Sequence, residues 1–424
     1  MRWLYSLLLY LLTPIVFVRL WLRGRKAPAY RARWGERFGH VGSFAKGPRI
    51  WIHAVSVGEA IAAAPLVRAL KVAYPDHALL VTSTTPTGSA QVQRLFGDEV
   101  EHCYLPYDLP HVLRRFLGRI QPRILVVMET ELWPNLFAAC RARDIPVLVV
   151  NARLSERSFR GYRKILPLIR PVLRTTLVLA QTEDDAARFR GLGAPRERVV
   201  VAGNLKFDQG VADGVPDEGR VLREQLGSSR RIWIAASTHT GEDTPILQAH
   251  RRLLAQQPDA LLIIVPRHPE RFDEVASLVA SMGFSFQRRS KESEADKSIE
   301  VFVGDTLGEM MIFYAASDIA FVGGSLVETG GHNPLEPAAL GLPVITGPHW
   351  FNFSGIYPEL LASGAARQVS DSDELAATLV EWFEDEELRR GAGAAGQQVV
   401  VRNRGALANI LTRIDASLAG SEQG

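Results

Sequence analysis

Apolar and polar residues alternate in blocks along most of this chain. From residue 49 onward, short continuous apolar runs are separated by longer segments in which apolar residues recur every three or four positions. The first pattern is typical of β-strands covered on both faces, and the second is typical of amphipathic helices. Their repeated alternation predicts an α/β fold with doubly wound parallel sheets.

The apolar runs fall into two sets. The first is RIWIHAV, ALLVTS, EHCYLP, RILVVME, IPVLVVN, TLVLAQ and RVVVAG, and the second is RIWIAAS, ALLIIVP, IEVFVG, DIAFVGG and LPVIT. Residues 207–219, FDQGVADGVPDEG, lie between the sets, lack an apolar period and are predicted to form a linker. We therefore predict two domains, residues 23–206 and 220–424, with a cleft between them and ligands at the strand carboxyl ends. The polar residues 288–298 are predicted to form a surface loop, and residues 371–418 to be mainly helical.

The N-terminus has a different pattern. Residues 4–22, LYSLLLYLLTPIVFVRLWL, contain one charge, Arg19, and are about long enough to cross the hydrocarbon core of a bilayer. A membrane-anchor helix over residues 1–22 is favoured. A helix lying in the interface, suggested by Pro14 and Arg19, and a cleaved signal peptide are the alternatives. The basic segment 23–37 predicts that the remaining chain is cytoplasmic and that this segment attracts anionic headgroups or phosphates.

Composition narrows the class of protein. The 424 residues are too many for one ordinary core, and 47% hydrophobic with 22% charged residues suits a folded protein. A net charge of +3, without a basic stripe interleaved with aromatics in the body of the chain, predicts no nucleic-acid partner. Cys103 and Cys140 form neither a disulfide framework nor a zinc site, which favours a reducing compartment.

The segment HAVSVGEA, residues 53–60, joins an apolar run to a helical pattern. Ser56 and Glu59 match the S-x-x-E capping box, which satisfies free N–H groups at a helix start. Two roles are open for Glu59: a structural cap, or a carboxylate at the mouth of an active site that removes a proton.

A glycine-rich segment follows the strand DIAFV in the second half. Gly323, Gly324, Gly330 and Gly331 precede a helix start at which Asn333 is predicted as the N-cap, Pro334 as N1 and Glu336 as N3. The interpretations are a phosphate site at a helix N-terminus, or a well-capped helix after a long turn. Four glycines within nine residues exceed what capping requires, so the phosphate site is favoured.

Other polar strand ends occur in the same half. Arg267 could grip a phosphate or be a surface residue, and Gly308 and Glu309 could bind a ligand or cap a helix. The run RIWIAAS likewise ends in Ser237, Thr238 and His239. Together these loops favour a nucleotide site over separate caps. No G-x-G-x-x-G or Walker A motif is present, which disfavours a nicotinamide dinucleotide or ATP.

The first half has its own polar strand ends. Glu129 and Glu131 follow a strand on one face, although an acidic helix start is the alternative. The segment NARLSERSF contributes hydroxyls and Arg153. Lys206 ends the last strand before the linker, where a solvated surface lysine is the ordinary interpretation. The motifs H-E-x-x-H, G-x-S-x-G and C-x-x-C are absent, which argues against a zinc enzyme or a nucleophile-elbow hydrolase.

Long motifs, in order along the chain, carry a family resemblance. They are LWLRGRKAPAYRARWGERFG, HAVSVGEA, TSTTPTGS, METELWPN, NARLSERS, GNLKFD, VPRHPERF and GGSLVETGGHNPLEPAALGLPVITGP. The chain resembles the 3-deoxy-D-manno-octulosonic acid (Kdo) transferases over essentially its whole length. The resemblance implies a GT-B glycosyltransferase, with two Rossmann-like domains facing a cleft and an N-terminal membrane-anchor helix. It also implies inverting, metal-independent transfer from CMP-Kdo to the tetraacyldisaccharide precursor of lipid A, in lipopolysaccharide inner-core biosynthesis.

The resemblance also implies residue roles. Glu59 matches the general base, and Glu129 and Lys206 match positions that stabilise the transition state. The CMP-binding segments match Pro266, Arg267, Leu307, Gly308, Glu309, Asn333, Pro334, Leu335 and Glu336. Residues 23–206 would be the acceptor-side domain and residues 220–424 the CMP-sugar domain. No cofactor is expected; the partners would be CMP-Kdo, the lipid A precursor and inner-membrane lipids, with the domains on the cytoplasmic side of the inner membrane.

Two other classes of function remain as alternatives. One is another membrane-associated GT-B enzyme that uses a UDP-sugar, or a nucleotide-sugar epimerase. The other is a membrane-anchored binding protein that kept the fold and lost turnover, which the presence of Glu59 disfavours.

Overall fold

The computed structural model describes residues 1–26, 28–42, 44–208, 210–291 and 298–420. The chain divides into two compact units. Unit 1 comprises Met1–Asp208 together with Arg404–Gly424, and unit 2 comprises Gln209–Asn403. Each unit is described separately below.

Unit 1 contains a seven-stranded sheet whose neighbouring strands are all parallel. Its strands are β1 (Arg49–His53), β2 (Ala78–Ser83), β3 (Glu101–Tyr104), β4 (Ile124–Met128), β5 (Val147–Ala152), β6 (Leu177–Ala180) and β7 (Val199–Val201). They lie in the order β3-β2-β1-β4-β5-β6-β7, so the winding direction reverses between β1 and β4. Sheets of this kind bind ligands at that switch point. Every strand coincides with a predicted apolar run, β5 extending one residue past its run to Ala152, which confirms this part of the fold prediction.

Helices cover both faces of the unit 1 sheet. They are α1 (Arg2–Lys26), α2 (Trp34–Arg37), α3 (Val57–Ala73), α4 (Pro86–Phe96), α5 (Pro110–Ile120), α6 (Pro134–Arg141), α7 (Glu156–Arg163), α8 (Leu166–Leu173) and α9 (Glu183–Gly191). Trp51 of β1 packs with Phe116 in one core, whereas Ile50 and Ile52 belong to the other. This division follows from the alternation of side chains along a strand.

The apolar helix α1 extends past the predicted anchor of residues 1–22 and ends at Lys26. Residues Arg2–Arg25 are long and apolar enough to cross a membrane on length and composition alone, a test that a signal sequence also passes. Pro14 lies inside the helix. Length and composition therefore leave the predicted span and the in-plane alternative both open.

Unit 2 also contains a seven-stranded parallel sheet. Its strands are β8 (Ile232–Thr238), β9 (Leu261–Pro266), β10 (Phe286–Arg288), β11 (Val301–Val303), β12 (Ile319–Val322), β13 (Val344–Thr346) and β14 (Ala366–Gln368). The order β10-β11-β9-β8-β12-β13-β14 places the switch point between β8 and β12. The two edge strands, β10 and β14, were not among the predicted apolar runs. The doubly wound α/β class is confirmed for this unit as well.

The first helix of unit 2 begins earlier than predicted, and helices separate most of the strands. They are α10 (Val215–Leu226), α11 (Asp243–Gln256), α12 (Phe272–Ser281), α13 (Met310–Ala315), α14 (Leu335–Ala339), α15 (Tyr357–Ala362), α16 (Ser372–Glu384) and α17 (Glu386–Asn403). α10 starts within the predicted linker 207–219. A Cβ on Gly219 would lie 2.3 Å from the Cβ of Ala315, so this glycine permits close packing of α10 on α13. In the predicted polar loop 288–298, residues 292–297 lie outside the described residues.

The last helix, α18 (Ala406–Gly420), belongs to unit 1. The predicted second domain, residues 220–424, had included it. Ile410, Ile414 and Leu418 pack into one of the unit 1 cores. The carboxylate of Asp208 accepts hydrogen bonds from the backbone N–H of residues 405 (2.7 Å) and 407 (2.9 Å), which fixes the start of the helix.

Candidate active site

Glu59 is buried at the start of α3, directly after β1, with 9% of its surface exposed. The Ser56 hydroxyl accepts from the Glu59 backbone N–H (3.4 Å) and lies 3.2 Å from the Glu59 carboxylate. The backbone N–H of Val55 donates to the other carboxylate oxygen (2.8 Å). The Ser56 half of the predicted capping box is present, and in the return bond the Glu59 carboxylate accepts from the N–H of Val55 instead of that of Ser56. This arrangement holds the carboxylate at the switch point, so capping and a chemical role are compatible.

The environment of Glu59 favours its neutral form. Burial raises its pKa to about 7, and the nearby Glu129 and Glu131 add to this effect, while the Val55 N–H and Ser56 oppose it. Burial raises the pKa of Glu131 to about 7 as well, again with a contribution from Glu129. A carboxylate with a pKa near neutrality can accept a proton in one step of a reaction and release it in another.

Two cations complete this group. Burial raises the pKa of Glu129, and Lys206 and Arg153 oppose that rise. Burial lowers the pKa of Lys206, with Glu129 acting in the opposite direction. We call Glu59, Glu129, Glu131, Arg153 and Lys206 the carboxylate cluster. Its members follow β1, β4, β5 and β7 at the carboxyl edge of one sheet, so the structure brings together the three predicted residues Glu59, Glu129 and Lys206.

One member of the cluster and one neighbouring residue have left-handed backbone conformations. Glu129 has φ 55° and Asn151 has φ 52°, directly after β4 and at the end of β5. Asparagine tolerates this conformation, and the buried Asn151 side chain accepts from the backbone N–H of Leu205 (3.1 Å). For a glutamate it costs about 1–3 kcal/mol and is concentrated at functional sites. Asn151 therefore ties the 3-10 turn Leu205–Asp208, which carries Lys206 beyond the end of β7, to the end of β5, a role that sequence reasoning missed.

In unit 2, Arg267 lies among three histidines. The Nε2 atoms of His239 and His332 are 2.8 Å apart with their rings stacked, and the His268 ring meets that of His239 edge-on at 5.4 Å. Burial lowers the pKa of His332 to about 4, and Arg267 contributes to this shift. The pKa of His239 is also lowered, by burial and then by His268 and Arg267. We call these four side chains the histidine–arginine cluster; they lie near the switch point of this sheet.

The predicted CMP-binding segment 333–336 adjoins this cluster. Helix α14 begins at Leu335, with Pro334 in the N-cap position, so the predicted N-cap at Asn333 is wrong by one residue. The Asn333 side chain still accepts from the Leu335 N–H (3.2 Å), and it donates to Glu336 (3.1 Å). Burial raises the pKa of Glu336, and Arg267 opposes the rise. Arg267, which follows Pro266, and the 333–336 segment are thus brought together.

The third predicted CMP-binding segment begins α13. Leu307 is 66% exposed, and Gly308 has φ 89°, a conformation that glycine adopts without strain. Glu309 accepts from Arg289 (2.7 Å) and from the Thr306 hydroxyl, and the bond from Arg289 lowers its pKa. Helix α13, which follows this segment, packs against α14, which begins within the segment 333–336.

Sequence reasoning missed the residue that organises the glycine-rich loop. Glu242 is fully buried at the start of α11. Its carboxylate accepts from the backbone N–H of Gly324 (2.6 Å), Ser325 (3.0 Å), Leu326 (2.9 Å) and His239 (2.9 Å). Three of these amides lie near the start of the glycine-rich segment and are bound by the protein's own carboxylate.

The described residues contain no group of three or more His, Cys, Asp or Glu side chains arranged to hold a metal ion. The cations nearest the two candidate sites are the chain's own Lys206, Arg153 and Arg267.

Structural comparison defines the fold of the protein, and a family profile for the second half accords with it. A UDP-N-acetylglucosamine 2-epimerase of Neisseria meningitidis bound to UDP-GlcNAc matches with a TM-score of 0.55 and 16% identity, over 88% of this chain and all of that chain. A glycosyltransferase of Rickettsia africae matches with a TM-score of 0.54 and 15% identity, over 88% of this chain and 98% of that chain. The profile "Glycosyl transferases group 1" matches residues 230–399. The chain is a glycosyltransferase with the GT-B fold.

Sequence comparison defines the family. The profile "3-Deoxy-D-manno-octulosonic-acid transferase (kdotransferase)" matches residues 32–209. A 3-deoxy-D-manno-octulosonic acid transferase of Haemophilus influenzae is 45% identical over 97% of both chains, and one of Bordetella pertussis is 42% identical over 90% of both. The chain belongs to the 3-deoxy-D-manno-octulosonic acid transferase family.

Proposed function

We propose that this protein transfers Kdo from CMP-Kdo to the tetraacyldisaccharide precursor of lipid A, with inversion at the anomeric carbon. The proposal places the reaction at the cytoplasmic face of the inner membrane, in lipopolysaccharide inner-core biosynthesis. The relatives that match nearly the whole chain support the reaction class. The observation that carries the mechanism is the position of Glu59, buried beside two further carboxylates at a sheet switch point.

In the proposed step, Glu59 is the general base. An acceptor hydroxyl attacks the anomeric carbon of the donor from the face opposite the leaving phosphate. The new C–O bond forms, the bond from that carbon to the CMP phosphate oxygen breaks, and the hydroxyl proton passes to Glu59. A pKa near 7 suits this role because the ionised form is available at neutral pH and still binds a proton.

Glu129 and Lys206 would act on the charge that develops during transfer. The anomeric carbon becomes cationic, as in other glycosyl transfers, and a neighbouring carboxylate favours that charge. Lys206 would stabilise negative charge, either on the donor carboxylate or on the departing phosphate. Because both side chains are half-buried and already interact, their electrostatic effects are screened less than those of surface charges.

Unit 2 would hold the CMP group. The phosphate gains negative charge as its bond to the sugar breaks, and the guanidinium of Arg267 can stabilise it through paired hydrogen bonds. Asn333 and Glu336 sit beside Arg267 and supply polar groups for the nucleoside. In this proposal the charge is balanced by the chain's own cations, without a bound metal or cofactor.

The test is to incubate purified full-length protein with CMP-Kdo and the lipid A precursor, and to analyse the lipid by mass spectrometry. Addition of one or more Kdo residues is expected. Binding of CMP without any product would favour the anchored binding protein, and preferential binding of UDP would favour a UDP-sugar enzyme. Calorimetry with CMP and UDP separates these outcomes.

A further inference from the structure

One face of α1 packs on unit 1. Its buried and half-buried residues recur every three or four positions and so form one stripe: Tyr5, Ser6, Leu9, Thr13, Val16 and Leu20. Exposed large apolar residues cover other positions of the helix: Leu4, Leu7, Leu8, Leu11, Ile15 and Val18. The helix therefore lies along the protein for more than four turns while presenting an apolar surface outward.

Specific contacts fix this position. Near the start of α1, the Ser6 hydroxyl accepts from the side-chain amide of Asn135 in α6 (2.9 Å). One turn later the Tyr10 hydroxyl lies 2.6 Å from His111 Nδ1 at the start of α5, with the two rings stacked. Further along, Phe17 stacks on Phe38, with centroids 4.7 Å apart and planes 4° apart. Eleven residues separate Ser6 from Phe17, which corresponds to about 16 Å along the helix.

Docking along this length is incompatible with crossing a bilayer. A spanning α1 would carry its contact surface on α5 and α6 into the hydrocarbon region. That surface includes the exposed Arg114 and Arg143, which with Arg2 line a groove of about 780 Å³ beside the first turns of α1. Guanidinium groups are strongly disfavoured in hydrocarbon but interact well with lipid phosphates at the interface.

We infer that α1 lies in the plane of the membrane interface, docked on unit 1, with its apolar surface in the headgroup–acyl boundary of an anionic bilayer. Charge complementarity supports this partner, because Arg2, Arg19, Arg23 and Arg25 are all exposed on the same helix. The Arg25 guanidinium also lies 4.2 Å from the Trp21 ring centroid, a pairing suited to the interface.

The contact between Ser6 and Asn135 lies close in sequence to the carboxylate cluster. The catalytic consequence of this position rests on the proposed function. Asn135 lies in the first turn of α6, four residues after Glu131. The Asp108 carboxylate accepts from the backbone N–H of Asn135 (3.0 Å) and Leu136 (2.7 Å), so the contact with Ser6 is made to a rigid corner. An in-plane α1 thus holds this edge of the unit 1 sheet at the level of lipid headgroups, where a phosphorylated glycolipid presents its sugar hydroxyls.

Spin-label depth measurements test the orientation. Leu4→Cys, Leu11→Cys and Val18→Cys are exposed, seven residues apart and therefore on one face, and the native Cys103 and Cys140 are buried. In vesicles of phosphatidylethanolamine with phosphatidylglycerol, an in-plane helix gives three similar, shallow depths of about 5–10 Å. A spanning helix separates successive labels by about 10 Å along the membrane normal. That separation, or labels that stay in water, would overturn the inference; a label at the exposed Glu387→Cys should stay aqueous.

A topology measurement gives a second readout. In membrane vesicles, a membrane-impermeant maleimide should label Arg2→Cys from the same side as Glu387→Cys. Labelling of Arg2→Cys from the opposite side alone would show a spanning helix. Neither measurement depends on turnover, so failure of the proposed Kdo transfer would leave both results unchanged.

Discussion

The carboxylate cluster of unit 1 and the histidine–arginine cluster of unit 2 occupy equivalent places in similar sheets but have opposite chemistry. Each lies near the point where strand order reverses. Burial raises the pKa of Glu59 to about 7 and lowers that of His332 to about 4, so in both clusters it favours neutral side chains. In two similar sheets, the residues that follow the strands therefore determine which charged side chains gather near the switch point.

The largest effect is expected in unit 1. Glu59→Gln should lower the rate of Kdo transfer about 10³-fold, because the amide cannot accept the proton. CMP affinity should stay near the wild-type value. Product formation and calorimetry measure the two quantities. Glu99→Gln, at an exposed carboxylate paired with Lys71, is the matched control and should keep full activity. Wild-type turnover in the Glu59 variant would remove this residue from catalysis.

A smaller effect, on CMP binding, is expected from a substitution in the histidine–arginine cluster of unit 2. Arg267→Ala should weaken CMP binding about 10- to 100-fold, which is the usual range for loss of charged hydrogen bonds. The dissociation constant for CMP measures this effect. Arg390→Ala removes an exposed arginine of the same unit, paired with Glu386, and should leave binding unchanged. Equal dissociation constants for the two variants would place the phosphate away from Arg267.

The internal carboxylate of unit 2 should matter for folding. Glu242→Gln replaces one acceptor oxygen with an N–H donor that faces backbone N–H groups, and should destabilise the protein by about 2 kcal/mol. Urea denaturation monitored by fluorescence measures the change. The exposed Glu386→Gln should leave the unfolding midpoint unaltered. If both variants unfold at the wild-type midpoint, Glu242 does not secure the loop.

The smallest effect expected is a pH-dependent change in stability that comes from Glu59 of the carboxylate cluster. The pKa of Glu59 is raised from 4.5 in the unfolded chain to about 7, so the folded protein binds this proton more tightly. Its contribution to stability is present at low pH and is lost as pH rises from about 4.5 through 7. Glu59→Gln should therefore be more stable than wild type at pH 8, by on the order of 1 kcal/mol. Unfolding free energies compared at pH 5 and pH 8 should show the gain at the higher pH only.

The pattern of apolar runs predicted most of the strands, and the strands that it missed are short ones at the edges of the unit 2 sheet. The seven strands of unit 1 coincide with the predicted runs, although β3 begins with the half-buried Glu101 and His102 and β7 ends with the exposed Val201. β10 and β14 have the sequences FQR and ARQ, which are short, contain charge and lie at sheet edges, so they carry no apolar signal. α18 was predicted as helical, but its amphipathic pattern cannot say which core receives Ile410 and Ile414.

Residues of the candidate site were predictable from the sequence where their interactions are with residues close by in the chain. The S-x-x-E pattern around Glu59 is a four-residue signal, and its Ser56 half appears in the structure as expected. By contrast, Glu242 binds amides more than 80 residues away, and Asn151 binds Leu205 across 54 residues. Such contacts depend on the order of strands in the sheet, which single-sequence patterns do not reveal.

The carboxylate of Glu242 has a consequence for inhibitor design. Compounds that mimic a phosphate usually seek a glycine-rich ring of amides, but here a tethered anion already saturates the amides of Gly324 to Leu326. A competing group would have to displace a carboxylate that belongs to the same chain and therefore has a high effective concentration at these amides. Selective compounds should instead address the imidazole and guanidinium groups, because the carboxylate beside Arg267, that of Glu336, has its pKa raised by burial.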